Sequence, residues 1–171
     1  TYGASLGKAE FAIDGNTSTA WMTAYSGHST TIKNGDGWID LEFPEAHTVD
    51  GLRYLPGPNT GGEFISIADF EISVKTADSD EYQVVSTGTW ENTSGWKMTE
   101  FDPVENVTNV RLLAKSTKKY NWWAVASEIR VMGKEEAANA NVADKSSLET
   151  QIATANKLLS KEKQYSAKSW K

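Results

Sequence analysis

The sequence predicts an all-β domain, a sandwich or barrel of many short strands, with a short helical extension at its C-terminus. The first observation is a period-two alternation of apolar and polar residues, which marks strands with one buried face. The second is a series of turn-forming clusters between the alternating stretches. The third is a change of composition after Gly133, where the chain becomes rich in Ala, Asn and Glu. A folded domain is consistent with the composition, since 39% of the 171 residues are hydrophobic and 23% are charged.

Three stretches carry the alternation most clearly. The positions expected to face the core are Ile39, Leu41 and Phe43, then Phe70, Ile72 and Val74, then Val110, Leu112 and Ala114. The positions between them are Trp38, Asp40 and Glu42, then Glu71, Ser73 and Lys75, then Arg111, Leu113 and Lys115. Turns are predicted at residues 33–37, 57–62, 77–80 and 92–95. Short strands at such spacing are typical of a sandwich or barrel, so residues 1–133 form the predicted β-domain.

The remaining residues are predicted to be a linker, 134–145, and a truncated helical segment, 146–171. Ser146 and Glu149 have the spacing of a capping box at a helix start. One apolar stripe follows at helical spacing: Leu148, Ile152, Ala155 and Leu159. Because a lone helix of this length is marginal in water, we expect it to open a larger helical module. The chain starts at Thr1 without a signal-like segment, so we expect it to be a piece of a longer protein.

Charge and residue usage exclude several classes of function. The net charge is −6 without a block of basic residues, so nucleic acid, anionic membranes and heavily sulfated glycans are not expected partners. The absence of Cys excludes a thiol nucleophile, a zinc–cysteine site and a disulfide framework. No stretch approaches the run of about 20 apolar residues that a membrane helix needs. Only His28 and His47 are available as histidine bases, whereas seven Trp residues suit binding rather than reaction.

A cluster of oxygen-bearing side chains near the N-terminus suggests a metal site. Asp14, Asn16 and Thr19 bring a carboxylate, an amide and a hydroxyl together around Gly15, which permits a tight turn. Calcium prefers six to eight such oxygens from a bent loop. Glu128, far along the chain, offers a second carboxylate beside a predicted strand. The alternative is an ordinary Asx turn, and the spacing alone leaves both interpretations open.

Several motifs together resemble the discoidin-like, coagulation-factor type C superfamily. The first is Ala-Ile-Asp-Gly-Asn-x-x-Thr-x-Trp at residues 12–21. The others follow in family order at residues 38–41, 49–56, 71–74, 86–90, 110–112 and 127–133. More narrowly, the sequence is similar to the family 32 carbohydrate-binding modules and to the N-terminal domain of galactose oxidase. The resemblance implies a jelly-roll sandwich of about eight strands.

The resemblance also implies one structural calcium ion. Its side-chain ligands would be Asp14, Asn16, Thr19 and Glu128, with backbone oxygens from Phe11 and Ser127. A closed shell of oxygens leaves no open position for chemistry, so the ion would join loops rather than activate water. Trp21, Trp38 and Trp90 fall in family strand motifs and are expected in the core.

The helical segment resembles the FIVAR modules of large Gram-positive surface enzymes. The similarity rests on residues 144–148 and 165–170. It implies a secreted or cell-surface bacterial protein of several domains.

Sugar binding in this family takes place on loops at one end of the sandwich. Galactose-binding members commonly carry a His after the opening Trp and an Arg after Leu-Pro, but Met22 and Gly57 occupy those positions here. The predicted sugar contacts are therefore other loop residues, Tyr25, Asn59, Tyr120, Asn121 and Trp122, with Trp123 packed inward. Flat aromatic rings can cover the C–H face of a pyranose.

The predicted function is that of a non-catalytic carbohydrate-binding module. It would target a secreted bacterial glycoside hydrolase to terminal sugars of host glycans, as a monomer attached to the other modules of its parent chain. The missing His and Arg favour N-acetylglucosamine over galactose or N-acetylgalactosamine. The alternatives are a structural spacer and a protein-binding or lipid-binding discoidin domain. A glycosidase is a further rival, but its best carboxylate pair, Asp14 and Glu128, is assigned to calcium.

Overall fold

A computed structural model describes residues 7–23, 32, 35–57, 65–118 and 123–133. All of them belong to one unit of the chain, Thr1–Gly133. The predicted linker, 134–145, and the predicted helical segment, 146–171, lie outside the described residues. Among the described residues no helix is long and apolar enough to cross a membrane.

The described elements are one 3₁₀ helix and seven strands, which confirms the predicted all-β class. The helix is Ala9–Ala12, and the strands in chain order are β1 (Trp21–Met22), β2 (Trp38–Leu55), β3 (Asp69–Thr76), β4 (Gln83–Thr89), β5 (Lys97–Ala114), β6 (Val125–Ala126) and β7 (Glu128–Met132). Five strands form an antiparallel sheet in the order β4-β3-β5-β2-β7, and β1 pairs with β6.

Strands β2 and β5 are long and bent, so each contributes to both layers of the sandwich. Their pairing with each other shifts register between Glu42 and His47 and again before Gly51. Pro44 and Pro103 lie in these irregular stretches, where a missing N–H removes no ladder hydrogen bond. Beyond the bend the two halves have different neighbours: β3 pairs with residues 107–114 of β5, and β7 pairs with residues 51–55 of β2.

One hydrophobic core joins the two layers. It contains Ile72 and Val74 from β3 together with Ile129 from β7, each at most 2% exposed. Residues from the two ends of the sheet can share one core only if the sheet folds over itself. The bends in β2 and β5 therefore produce the sandwich, which is the fold that the family resemblance implies.

The period-two alternation predicted the inward positions of the strands correctly, whereas Ser73, predicted to face outward, is 5% exposed beside a register shift between β3 and β4. The inward positions in β3 and β5 are buried, and those in β2 are buried or half-buried. Trp21 and Trp90 are core residues as expected, each 6% exposed. The expectation that Trp38 is a core residue is wrong, because Trp38 is 43% exposed. Ile39 faces inward, so its neighbour faces outward, where the guanidinium of Arg111 lies 4.4 Å from the centre of the indole.

The centre of the core is a stack of three aromatic rings. Trp90 lies between Tyr54 and Phe70, with ring centres 4.8 and 3.9 Å away and near-parallel planes. Trp90 also donates a hydrogen bond from Nε1 to Thr99 Oγ1 at 3.0 Å. The stack crosses the core from β2 to β3 and holds the two layers at a fixed separation.

The hydroxyl of Tyr54 is buried and joins two distant segments. It donates a hydrogen bond to the carbonyl oxygen of Val125 at 2.8 Å and accepts one from the amide of Ile67 at 3.0 Å. Complete burial raises the pKa of Tyr54 above its ordinary value. The group therefore stays protonated and can keep donating throughout the range in which the protein is stable.

We predict that Tyr54→Phe lowers the free energy of unfolding by about 2–3 kcal/mol, because Ile67 N loses its buried partner and Val125 O loses a donor. Urea denaturation measures this change. The matched control is Tyr82→Phe, whose half-buried hydroxyl bonds to Asp40 at the surface and whose loss should cost under about 1 kcal/mol. Equal losses in the two variants would contradict the role assigned to Tyr54.

Candidate functional site

The N-terminal oxygen cluster forms a tight loop immediately after the 3₁₀ helix. Asp14 Oδ1 accepts a hydrogen bond from the amide of Asn16 at 2.8 Å. Thr19 Oγ1 lies 2.7 Å from both Asp14 Oδ2 and the carbonyl oxygen of Asn16. Gly15 has a φ of 75°, a left-handed conformation that a residue with a side chain rarely adopts. Three oxygen atoms, Thr19 Oγ1, Asp14 Oδ2 and the carbonyl oxygen of Asn16, therefore lie close together. Only the Thr19 hydroxyl carries a hydrogen atom that can be shared between them.

Glu128, the fourth predicted side-chain ligand, is a buried carboxylate. It begins β7 and is 3% exposed, next to Ser127, which is 1% exposed. Its Oε2 atom has no hydrogen-bond partner in the described part of the chain. The 3₁₀ helix that leads into the Asp14 loop contacts both β1 and β7. A buried, uncompensated carboxylate oxygen is costly unless a cation or donor offsets it.

The donors fit calcium better than a transition metal. Across the described ranges, no group of three or more His, Asp or Glu side chains is arranged to hold a metal ion. The predicted ligand set contains two carboxylates, Asp14 and Glu128, and its other donors are amide, hydroxyl and backbone oxygens. Oxygen ligands of mixed charge are what calcium accepts, whereas zinc and copper prefer nitrogen and sulfur.

Hydrogen bonds join the residues that flank three segments of the chain. The segments themselves, 24–31, 58–64 and 119–122, lie outside the described residues. Thr23 and Ala124 exchange two hydrogen bonds of 3.0 Å, one of them through Thr23 Oγ1. The ends of the second segment are joined by a 3.3 Å bond from Gly57 N to the carbonyl oxygen of Ile65. A 3.0 Å bond from Lys118 N to Ser66 O connects the second and third segments. We call these flanking residues the loop stems.

The predicted sugar contacts all belong to these three segments. They are Tyr25, Asn59, Tyr120, Asn121 and Trp122, and they lie outside the described residues, as does His28. The stems that flank these segments are described, and the hydrogen bonds given above join them to one another.

A small apolar cluster lies beneath the loop stems, and we call it the stem cluster. Its buried members are Ala20, Met22 and Val125, with Ile65 and Trp123 packed against them. Met22 is paired directly with Val125 between β1 and β6. Trp123 therefore packs inward, as predicted. The sequence reasoning did not identify Val125 or Ile65, although the short apolar run at residues 124–126 was a signal for a buried strand.

The two positions at which the family resemblance implies galactose-binding donors both adjoin the stem cluster. Position 22, where a His is usual, holds a methionine that is 8% exposed within the cluster. Position 57, where an Arg is usual, has no room for a side chain. A Cβ added to Gly57 would lie 2.3 Å from Val125 Cγ1 and 3.1 Å from Val125 Cβ. The side chain of Val125 thus packs in one cluster with Met22 and leaves no space for a side chain at Gly57.

The shifted pKa values in the described residues belong to structural groups. Hydrogen bonds from Ser116 and Thr89 lower the pKa of Asp69, whose backbone carbonyl also accepts from Lys115 N and Ser116 N at the end of β5. Burial lowers the pKa of Lys97, whose Nζ donates to Thr93 and Gly95 in the preceding turn. These groups hold strand ends in place.

The sequence match and the structural matches agree on the class of protein. Residues 1–129 match the F5/8 type C domain, so the chain belongs to that family. A sialidase from Micromonospora viridifaciens is 28% identical over 130 residues, which are 74% of this chain and 19% of the sialidase. The chain thus spans about a fifth of the length of that curated relative.

Solved structures with a similar fold include carbohydrate-binding modules. CpGH89CBM32-5 from Clostridium perfringens, in complex with GalNAc-β-1,3-galactose, is 25% identical with a TM-score of 0.60, over 74% of this chain and 84% of that one. The family 32 module of C. perfringens NanJ, in complex with galactose, is 23% identical with a TM-score of 0.58, over 73% and 84%. Both of these modules are thus solved with a sugar bound. The FIVAR resemblance of residues 144–170 stays a prediction.

We predict that Gly57→Ala lowers the free energy of unfolding by about 1–3 kcal/mol, because the new methyl group overlaps Val125. Thermal or urea denaturation measures the loss. Gly95→Ala is the matched control, since a Cβ there meets no atom within 4 Å. The double variant Gly57→Ala with Val125→Ala should lose less than the sum of the single variants, by about 1 kcal/mol. Strict additivity would contradict the assigned contact.

Proposed function

We propose that this chain is a non-catalytic carbohydrate-binding module that binds a terminal sugar at the end of the sandwich formed by the loop stems. The observation that carries the proposal is the packing of the loop stems around one apolar cluster in a member of the F5/8 type C family. The sequence of those segments supplies aromatic and amide side chains, notably Tyr120, Asn121 and Trp122. Such a combination suits a pyranose, whose C–H face is apolar and whose hydroxyls are polar.

We further infer that the module belongs to a larger secreted or cell-surface glycoside hydrolase of a Gram-positive bacterium. The sialidase relative and the family 89 glycoside hydrolase from C. perfringens are both far longer than the region they share with this chain. A single sugar buries few atoms, so the affinity of one module is weak. Attachment to a catalytic domain or to further modules raises the effective concentration and makes weak binding useful.

The apolar character of the stem cluster supports a preference for N-acetylglucosamine over galactose or N-acetylgalactosamine. Donors that recognise the axial O4 of a galactose-type sugar would have to replace Met22 or Gly57. Met22 is buried against Val125, and Val125 leaves Gly57 no space for a side chain. A sugar with an equatorial O4 does not need those donors.

A structural calcium ion is the second part of the proposal. Asp14, Asn16, Thr19 and Glu128 would hold it, with backbone oxygens of Phe11 and Ser127. The uncompensated Oε2 of Glu128 and the crowded oxygens around Thr19 support this set. When bound, the ion would join the opening loop to β7 and would carry out no chemistry on a substrate.

We predict that calcium raises the melting temperature of the protein and that a chelator reverses the effect. Saturation at about a hundredfold excess over Kd adds about 2.7 kcal/mol, which corresponds to a shift of several degrees. Glu128→Gln should abolish the shift, whereas Glu105→Gln, at an exposed position of β5, should keep it. An unchanged wild-type melting temperature in calcium and in chelator would show that the assignment is wrong.

For the sugar site, we predict saturable binding to one class of terminal sugar on a glycan array, with glycans ending in N-acetylglucosamine preferred. Titration of the best ligand should show that Trp122→Ala weakens binding at least about tenfold, because ring stacking is lost. Trp38→Ala is the control, since Trp38 is an exposed indole on the outer sheet face. Binding only to galactose-terminated glycans would contradict the preference, and no binding to any glycan would favour a spacer or protein-docking role.

A further inference from the structure

Two arginines lie directly opposite each other on the outer face of the β2–β7 ladder. Arg53 and Arg130 are register partners, so their Cα atoms are about 4.5–5.5 Å apart. Like charges at such positions repel and destabilise a sheet. Both side chains are exposed. A repulsive pair in the middle of a well-formed ladder is a feature that packing alone does not require.

The two guanidinium groups share one aromatic partner. Arg53 lies 5.4 Å and Arg130 lies 5.0 Å from the centre of the Trp96 indole. Arg53 is paired with Arg130 of β7 on one side and with Met98 of β5 on the other, and Met98 is 57% exposed. We call Arg53, Trp96, Met98 and Arg130 the arginine patch. Contact with the indole restricts both guanidinium groups without using their N–H donors.

Neither arginine of the patch has an acidic partner among the residues that the structure describes. In the described ranges the ion pairs within 4.0 Å include Arg111 with Asp40 at 3.1 Å, but none with Arg53 or Arg130. Glu100 is the carboxylate on the adjoining register pair, and it makes no ion pair with them. In a chain of net charge −6, two neighbouring guanidinium groups without a carboxylate form a local site for an anion.

We propose that the arginine patch binds the carboxylate of an acidic sugar residue, as a second glycan site separate from the loop stems. Two planar guanidinium groups match the two oxygens of one carboxylate. The exposed thioether of Met98 offers an apolar surface for the ring of the same sugar. An acidic peptide or a polyanion would bring several charges against a protein of net charge −6, whereas a sugar acid brings one. The choice of a sugar as ligand rests on the function proposed above.

The test is an NMR titration of the full 171-residue chain with D-glucuronate, using D-glucose as the neutral sugar of the same ring. Glucuronate should shift the Nε–H signals of Arg53 and Arg130 and the indole N–H signal of Trp96. Glucose should leave them unchanged. Added salt should weaken the glucuronate effect, because an exposed charge interaction is screened.

Variants decide whether the patch itself is responsible. Arg53→Gln and Arg130→Gln should each weaken glucuronate binding about tenfold or more. Lys75→Gln, which removes one positive charge from the outer face of β3, should leave it unchanged. The arginine variants should keep the wild-type melting temperature within about 2 °C, as exposed substitutions do.

Failure of this proposal is distinguishable from failure of the proposed sugar site. Arg53→Gln should still bind the neutral glycan selected on the array, and Trp122→Ala should still bind glucuronate at the patch. The patch proposal is overturned if glucuronate shifts no patch signal, if Lys75→Gln weakens binding equally, or if a short glutamate peptide binds the patch more tightly than glucuronate. Loss of neutral-glycan binding alone would count against the loop site and leave the patch standing.

Discussion

The arrangement of the loop end depends on one buried hydroxyl group. Tyr54 is anchored in the core by its stack on Trp90, and its hydroxyl holds Ile67 and Val125 on either side. Ile67 follows the second loop segment and Val125 follows the third, so one oxygen atom sets the separation of their stems. Because the group is fully buried, both bonds are shielded from competing water and are stronger than they would be at the surface.

The position of Val125 then determines the chemistry available beneath the loops. With its backbone held by Tyr54, its side chain fills the space between Met22 and Gly57. Neither position can present a polar group to a ligand without displacing that side chain. In the proposed sugar site, recognition of hydroxyl groups would therefore fall to the loop residues themselves. The packing of Val125 would thus restrict the specificity of the proposed sugar site without direct contact with a ligand.

The sequence was sufficient for local features and insufficient for those that depend on register. Alternation assigned the inward positions of β3 and β5, and one continuous motif contained Asp14, Asn16 and Thr19. The same alternation places Ile39 inward and its neighbour Trp38 outward. The family motif instead assigned Trp38 to the core, and that assignment was wrong. Glu128 was suggested as a distant second carboxylate, and the family resemblance then assigned it to the same ligand set as the opening loop. The arginine patch was invisible, because Arg53, Trp96 and Arg130 are far apart in the chain and only pairing of β2 with β5 and β7 unites them.

Strand geometry also explains how opposite charges coexist on β7 without neutralising each other. Glu128 and Arg130 point to the same face, two residues apart, and are separated by about 6.4–6.8 Å along the strand. Glu128 is buried and Arg130 is exposed, and they form no ion pair within 4.0 Å. Had they paired, the carboxylate would be satisfied and the guanidinium occupied. Because they are apart, the buried carboxylate of Glu128 is free to bind a cation and the exposed guanidinium of Arg130 is free to bind an anion. On the assignments proposed above, one short strand thus serves a structural metal at its start and an acidic sugar at its centre.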